Sequence, residues 1–240
     1  TAVDDKVFWM GIGDFYVYTG QTQKLPCPVR AYIFDDINEG QIELTVCALN
    51  STFSEVWWFY PSANSNENNR YVIYNYVENT WAIGALTRTA WHDRGLFNAP
   101  IAASTDGYLY NHETGQNDGS TNPPSAITSY IESSQISIGS GDDFVFLTKL
   151  IPDLTFENSI STAPTVDFTL QARNFPGGAY LQTDTSGVTQ SATTPVEQFT
   201  EQTWIRLRGR SFAVKVESDT TDTQWRLGTP RVEIRPDGRR

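Results

Sequence analysis

Two histidines limit any acid–base scheme this chain could run. His92 stands in AWHDRG and His112 in YNHETG. His-Asp-Arg suggests a polarised imidazole, but successive residues on a strand point to opposite faces, so a His92–Asp93 dyad needs a turn at that point. Both histidines therefore read as structural, near the connections between strands. No GxSxG elbow, HExxH helix or phosphate-cradling loop occurs. Carboxylates are the other source of chemistry. Glu55, Glu78, Asp93 and Glu113 fall at expected strand ends, where a pair flanking a glycosidic bond would have to sit. Trp57, Trp58 or Trp81 could stack on a sugar ring, although Trp57 and Trp58 must face opposite ways and at least one belongs to the core. With twenty-eight acidic residues in the chain, pairs arise in any case and carry little weight. Asp142–Asp143 in SGSGDDF lacks the regular oxygen spacing of a calcium loop and reads as a solvated turn. Cys27 and Cys47 lack CxxC spacing; they read as buried free thiols, with a disulfide as the alternative. The expectation is a non-enzymatic protein with no catalytic, cofactor or metal site.

Composition is consistent with that. Charged residues are 19% of the chain, below the roughly 25% of ordinary domains, while aromatics reach 13%. Seven tryptophans along 240 residues argue for an ordered core. The net charge of −11 argues against a nucleic-acid groove, which needs a basic face. The charge is uneven: from Arg206 onward nine Lys/Arg stand against five Asp/Glu, whereas residues 1–205 hold eight against twenty-three. No apolar run is long enough to cross a membrane. The chain has no signal peptide and does not begin with Met, so Thr1 marks a cleavage or an imposed boundary.

The elements expected to position these residues are strands. In Ser54–Gly95, short aromatic and β-branched bursts alternate with Asn/Ser/Glu-rich turns, as in half-buried pleated strands. Gln41–Asn50, Glu55–Pro61, Arg70–Glu78 and Trp81–Leu86 read as a four-stranded antiparallel meander, the size of one β-propeller blade. Upstream, Val7–Gly11 and Asp14–Thr19 pair across Ile12–Gly13, with Gln23–Pro28 as a third strand. Downstream, Pro100–Ser104 and Tyr108–His112 pair across Asp106–Gly107, and Ser129–Ile138 and Phe144–Ile151 follow. The one helix candidate is Arg30–Asn38. The spacing thus predicts an all-β fold, with propeller-like four-stranded antiparallel blades over residues 1–160 in a ring that need not close. A C-terminal β-sheet region is expected over 161–240, and a β-sandwich is the alternative architecture.

That C-terminal region reads as strands at Val166–Arg173, Thr203–Arg208, Ser211–Ser218 and Trp225–Ile234, around a long polar stretch Phe175–Thr200. Ile205 and Leu207 alternate with Arg206 and Arg208, so one face is buried and one wet. Arg206, Arg208 and Arg210 are expected to project together as a docking row for an acidic neighbour.

Several segments in order along the chain resemble structural proteins of tailed-bacteriophage virions. They are FWMGIGDFYVYTGQTQKLPCPV (Phe8–Val29), the Ser54–Gly95 run, DGYLYNHETG (Asp106–Gly115), SSQISIGSGDDFVFLTKLIPD (Ser133–Asp153) and the ending from Arg206 to Arg240. The likeness is to the tail nozzle and packaged-DNA stabilisation proteins of podovirus-like phages. It implies a propeller-containing subunit, repeated as a homo-oligomeric ring around the DNA exit channel and contacting tail, adaptor or fibre proteins. DNA would pass nearby without specific binding, and the protein would lie in the virion after assembly in the host cytoplasm. The ending PDGRR reads as a natural C-terminus, so the chain resembles the C-terminal portion of a longer protein. A carbohydrate-binding module or glycosidase of all-β type is the competing reading.

Overall fold

The computed structural model describes residues 1–175 and 190–238. The fold is all-β, with one seven-residue helix and one short 3-10 segment among the described residues. It divides into two compact units, Thr1–Thr114 and Gly115–Arg240.

The first unit is a succession of antiparallel meanders. Strands Ala2–Val3, Lys6–Met10, Phe15–Tyr18 and Thr22–Leu25 form one four-stranded sheet. Val46–Asn50, Glu55–Tyr60, Arg70–Asn75 and Thr80–Gly84 form the second. Ala90–His92, Ile101–Ala103 and Leu109–Asn111 form a three-stranded third. The expected helix is present as Arg30–Asp36. The expected strand Gln41–Asn50 begins only at Val46, because Glu39–Leu44 is a 3-10 turn whose start is fixed by the Asn38 side chain accepting from the Gly40 amide.

The middle sheet is buried on both faces. Val56, Trp58, Tyr60, Val72 and Tyr74 pack with Phe8 and Phe15 of the first sheet and with Ile33 of the helix. Trp57, Phe59 and Ala48 pack on the other side, against Trp91 of the third sheet. This explains the nearly continuous apolar run of strand Glu55–Tyr60, since a strand covered on both sides has no wet face to alternate with. The first strands of successive sheets are neighbours: the Thr1 amino group donates to Cys47 Sγ at 3.3 Å, and the Trp91 indole N–H donates to the Leu49 carbonyl at 2.8 Å. At the last strands, the Trp81 indole N–H donates to the Pro26 carbonyl at 3.0 Å.

The main sheets of the second unit share one hydrophobic core. One sheet orders Ser129–Glu132, Ser211–Ser218, Thr165–Arg173 and Ser191–Glu197, with Ile136–Ser137 also pairing to Ser211–Ser218. The other orders Thr203–Gly209, Val145–Ile151 and Arg231–Pro236. Val166, Phe168, Leu170, Phe212 and Val216 of the first sheet meet Val145, Leu147, Leu150, Ile205 and Leu207 of the second. The chain switches sheets at Gly209. A side chain there would approach Ala172 Cβ to 2.8 Å and the Arg173 carbonyl to 3.2 Å, which is why a glycine occupies the switch.

The unit boundary lies at Thr114/Gly115, whereas the sequence reading divided the chain between residues 160 and 161. Strand Val145–Ile151 pairs on both sides with strands from beyond residue 200, so it cannot belong to the N-terminal meanders. The polar stretch from Phe175 contains strand Ser191–Glu197, which tolerates Pro195 because, among the described residues, it is an edge strand with a single neighbour. Residues 176–189 of that stretch lie outside the described residues.

Candidate functional site

Alternation along Thr203–Gly209 sends Ile205 and Leu207 into the core and leaves Trp204 and Arg206 exposed. Trp204 is 73% exposed, an unusual position for an indole. Pairing extends this outward face across the sheet. Lys149 lies between Trp204 and Glu233, Phe146 between Arg208 and Arg235, and Ile151 pairs with Arg231. Five cations thus share one face, in a chain of net charge −11. Glu233 accepts from Arg235 at 3.1 Å and Lys149 at 3.2 Å, and these two partners hold its carboxyl below the usual carboxylate range.

Arg206, Arg208 and Arg210 do not form one free row. Arg206 is exposed, as expected. Arg208 pairs with Asp237 and lies over the Phe144 ring, 3.8 Å from its centroid. Arg210 lies over the same ring at 4.6 Å and donates to the Asn174 carbonyl. Arg210 follows Gly209, where the chain leaves the sheet, so strand periodicity no longer fixes its direction. Reversing Arg206 to Glu should leave thermal unfolding within about 0.5 kcal/mol of wild type. Reversing Arg208 and Arg210 together should cost about 1–3 kcal/mol, since two contacts to the buried Phe144 ring, each worth about 0.5–2 kcal/mol, are lost with an ion pair. Calorimetry on the two variants distinguishes these roles.

The residues with potential for chemistry are spread over the first unit. His112 Nε2 accepts from buried Arg88 Nε at 2.8 Å, and its ring packs on Trp91 with centroids 4.7 Å apart. Because guanidinium only donates, this imidazole is neutral with its proton on Nδ1. Burial, then the Arg88 charge, lowers its pKa to about 4. His92 is exposed, its Nδ1 2.5 Å from the Asp93 carbonyl. Asp93 instead accepts from the Ser51 and Arg94 amides.

Glu55 and Glu113 come near one another beside Asn50. The Glu113 carboxylate accepts from the fully buried Asn50 amide at 2.9 Å, and Glu55 accepts from the Trp57 indole at 2.9 Å. Both carboxyls are raised above the usual range, first by desolvation and, for Glu55, also by the Glu113 charge. Glu78 is exposed in the turn after Asn75 and donates its amide to that side chain. Trp57 and Trp58 are both core residues, at 8% and 1% exposure, so neither offers a face to a sugar. Trp81 stacks on Trp58 and packs at a tilt against Tyr74.

Cys27 and Cys47 are free thiols and only partly buried. Burial pushes Cys27 up to about 11 and raises Cys47 as well, which disfavours the reactive thiolate. Asp142 and Asp143 are exposed. Among the described residues, no group of three or more His, Cys, Asp and Glu could hold a metal ion. Among those residues, too, no helix is long and apolar enough to cross a membrane.

Sequence reasoning found Arg206 through strand alternation. It missed Trp204, whose outward direction the same alternation implies, and it missed Lys149 and Arg231, which only the strand pairing brings alongside. No protein-family model matches the chain, and no curated protein is significantly similar to it.

Proposed function

We propose that this protein is a non-enzymatic structural subunit of a bacteriophage virion, a tail or head–tail component that docks to its neighbours through the outward face of the Thr203–Gly209 sheet. One observation carries the reading. An exposed tryptophan and a group of cations occupy one sheet face of an otherwise acidic chain. Trp and Arg are the residues most enriched at the energetic centres of protein interfaces. The ordered sequence resemblance supplies the virion context.

On this reading the sheets of residues 1–114 are three blades of an incomplete propeller. Their first strands lie together, as do the last strand of the second sheet and the end of the first. Each chain connection also runs from a last strand back to the next first strand. Both histidines act structurally, one held by Arg88 and one against its own loop. The acidic body keeps the protein from binding passing DNA, because like charge repels phosphate over roughly 8–10 Å at physiological salt. Quantitative mass spectrometry of purified particles of the encoding phage should find the chain in several copies per particle, and gold-labelled antibody should mark the tail. Particles without the chain would contradict the assignment.

A carbohydrate-directed reading has one observation in its favour, the Glu55–Glu113 pair with both carboxyls raised. Each carboxylate already has a structural partner in Trp57 or Asn50, and the adjacent Trp57 is buried, so the docking role is the better supported. Polysaccharide hydrolysis abolished by Glu55→Gln or Glu113→Gln would reverse that preference.

A further inference from the structure

We infer that Glu55, Glu113 and Asn50 form a calcium site where the second and third sheets of the first unit meet, a role independent of the docking face. Asn50 and Glu55 stand directly opposite one another in the register of strands Val46–Asn50 and Glu55–Tyr60. Residues paired in this way send their side chains to the same face of a sheet. Here it is the face that carries Trp57 and packs against Trp91 of the third sheet. Glu113 reaches the same place from just beyond Leu109–Asn111, the last strand of that third sheet. Its Oε1 accepts from Asn50 Nδ2 at 2.9 Å, and Glu55 Oε2 accepts from the Trp57 indole at 2.9 Å. Strand pairing and two hydrogen bonds thus gather three oxygen-bearing side chains from two sheets.

The observation that points to a ligand is Asn50 itself. It is 0% exposed, and its Oδ1 is buried without a hydrogen-bond partner. A buried acceptor left unsatisfied is costly, and this one sits on the amide whose other end already touches Glu113. Neither Glu55 nor Glu113 has an ion pair among the described residues. Desolvation raises both carboxyls and the Glu113 charge raises Glu55 further, so a cation placed beside them would relieve both effects. Calcium accepts a mixture of carboxylate, amide and water oxygens in irregular geometry, whereas magnesium demands a near-octahedral set. Two carboxylates and one amide are such a mixture. Water completes the shell, and so small a ligand charge places the affinity in the weak range of about 10⁻⁴–10⁻³ M. Glu113 is exposed on its outer side, which gives the ion a way in. The bound ion would tie the hairpin end of the second sheet to the segment that leaves the third.

Terbium replaces calcium in oxygen sites and emits when excited through a nearby indole. It is the natural probe, because Trp57 touches Glu55. On the full chain, sensitised terbium emission should saturate and be displaced by calcium at about 10⁻⁴–10⁻³ M, with magnesium at least about tenfold less effective. Calcium at about 10 mM should raise the unfolding midpoint by roughly 4–8 °C relative to the chelator EDTA. Glu55→Gln and Glu113→Gln should each weaken terbium and calcium binding at least about tenfold. Both should remain folded by circular dichroism, since each keeps the side chain's shape and removes a desolvated charge. Asn50→Asp should act the other way and bind calcium at least about threefold more tightly, as a third carboxylate joins the site. That variant decides the matter even where a glutamine variant does not fold. Emission that never saturates, calcium and magnesium acting alike, glutamine variants that bind as wild type does, or an Asn50→Asp variant that binds no more tightly would each overturn the inference.

Discussion

Replacing Trp58 with alanine should destabilise the first unit by about 3–5 kcal/mol, the range for removing a buried aromatic side chain. Trp58 is 1% exposed, lies opposite Cys47 and Val72 in the middle sheet, and packs against Phe15 at 4.9 Å and Trp81 at 6.1 Å between ring centroids. The lost indole would open a cavity between two sheets, lined by rings that cannot collapse into it without breaking their own contacts. That cost is a large share of the roughly 5–15 kcal/mol that holds an ordinary domain together. The Trp58 N–H is buried without a hydrogen-bond partner, so Trp58→Phe should cost much less, because it keeps a ring and removes an unsatisfied donor. Trp204→Ala is the matching control: it should leave stability within about 0.5 kcal/mol of wild type and abolish docking. Denaturant titration followed by near-ultraviolet circular dichroism checks all three. Equal losses for Trp58→Ala and Trp204→Ala would mean that the buried and exposed sheet faces have been misassigned.

Acid should weaken the first unit through His112. Its folded-state pKa is lowered from 6.5 to about 4, because burial and the Arg88 guanidinium both oppose a second cation. A histidine that must stay neutral contributes its full stability above pH 6.5. The contribution is lost as pH falls from 6.5 to about 4, where the unfolded chain binds a proton that the native one refuses. The difference corresponds to at most about 3 kcal/mol, reduced by whatever solvent screens at the partly exposed ring edge. Protonation would also remove the acceptor for Arg88 Nε. Glu55 and Glu113 act in the opposite sense: their raised pKa values favour the native state at low pH, and that contribution fades as pH rises through them. The histidine component is therefore isolated by comparison with His112→Gln, which can still accept from Arg88 and does not titrate. The gap between wild type and His112→Gln should change by up to about 3 kcal/mol between pH 7 and pH 4, to the disadvantage of wild type. A pH-independent gap would show that the imidazole carries no such penalty.

The strands were legible where side-chain periodicity and turn chemistry agreed. The meander around Glu55–Tyr60 and the Asp106–Gly107 hairpin followed from local residues alone, the latter because Gly107 supplies the positive φ of +84° that the turn requires. What stayed hidden was non-local. Ala2–Val3 is too short to show a period, and Ser191–Glu197 is disguised by Pro195 and by small polar residues. Nothing in Val145–Ile151 itself announces that its partners lie more than fifty residues downstream. The same limit applied to the outward face of the Thr203–Gly209 sheet: alternation along one strand gives Arg206, but Lys149, Phe146 and Arg231 join it only through sheet order. Arg208 was misread as free because its partners, Asp237 and Phe144, come from elsewhere in the chain.

The most direct measurement is a density map of the purified particle by electron cryo-microscopy, at a resolution that traces strands. The structure should appear as a repeated subunit in the tail or head–tail region. Trp204, Arg206 and Arg231 should be buried against a neighbouring subunit. A map in which this sheet face points to solvent, or in which no density fits the chain, would contradict the account.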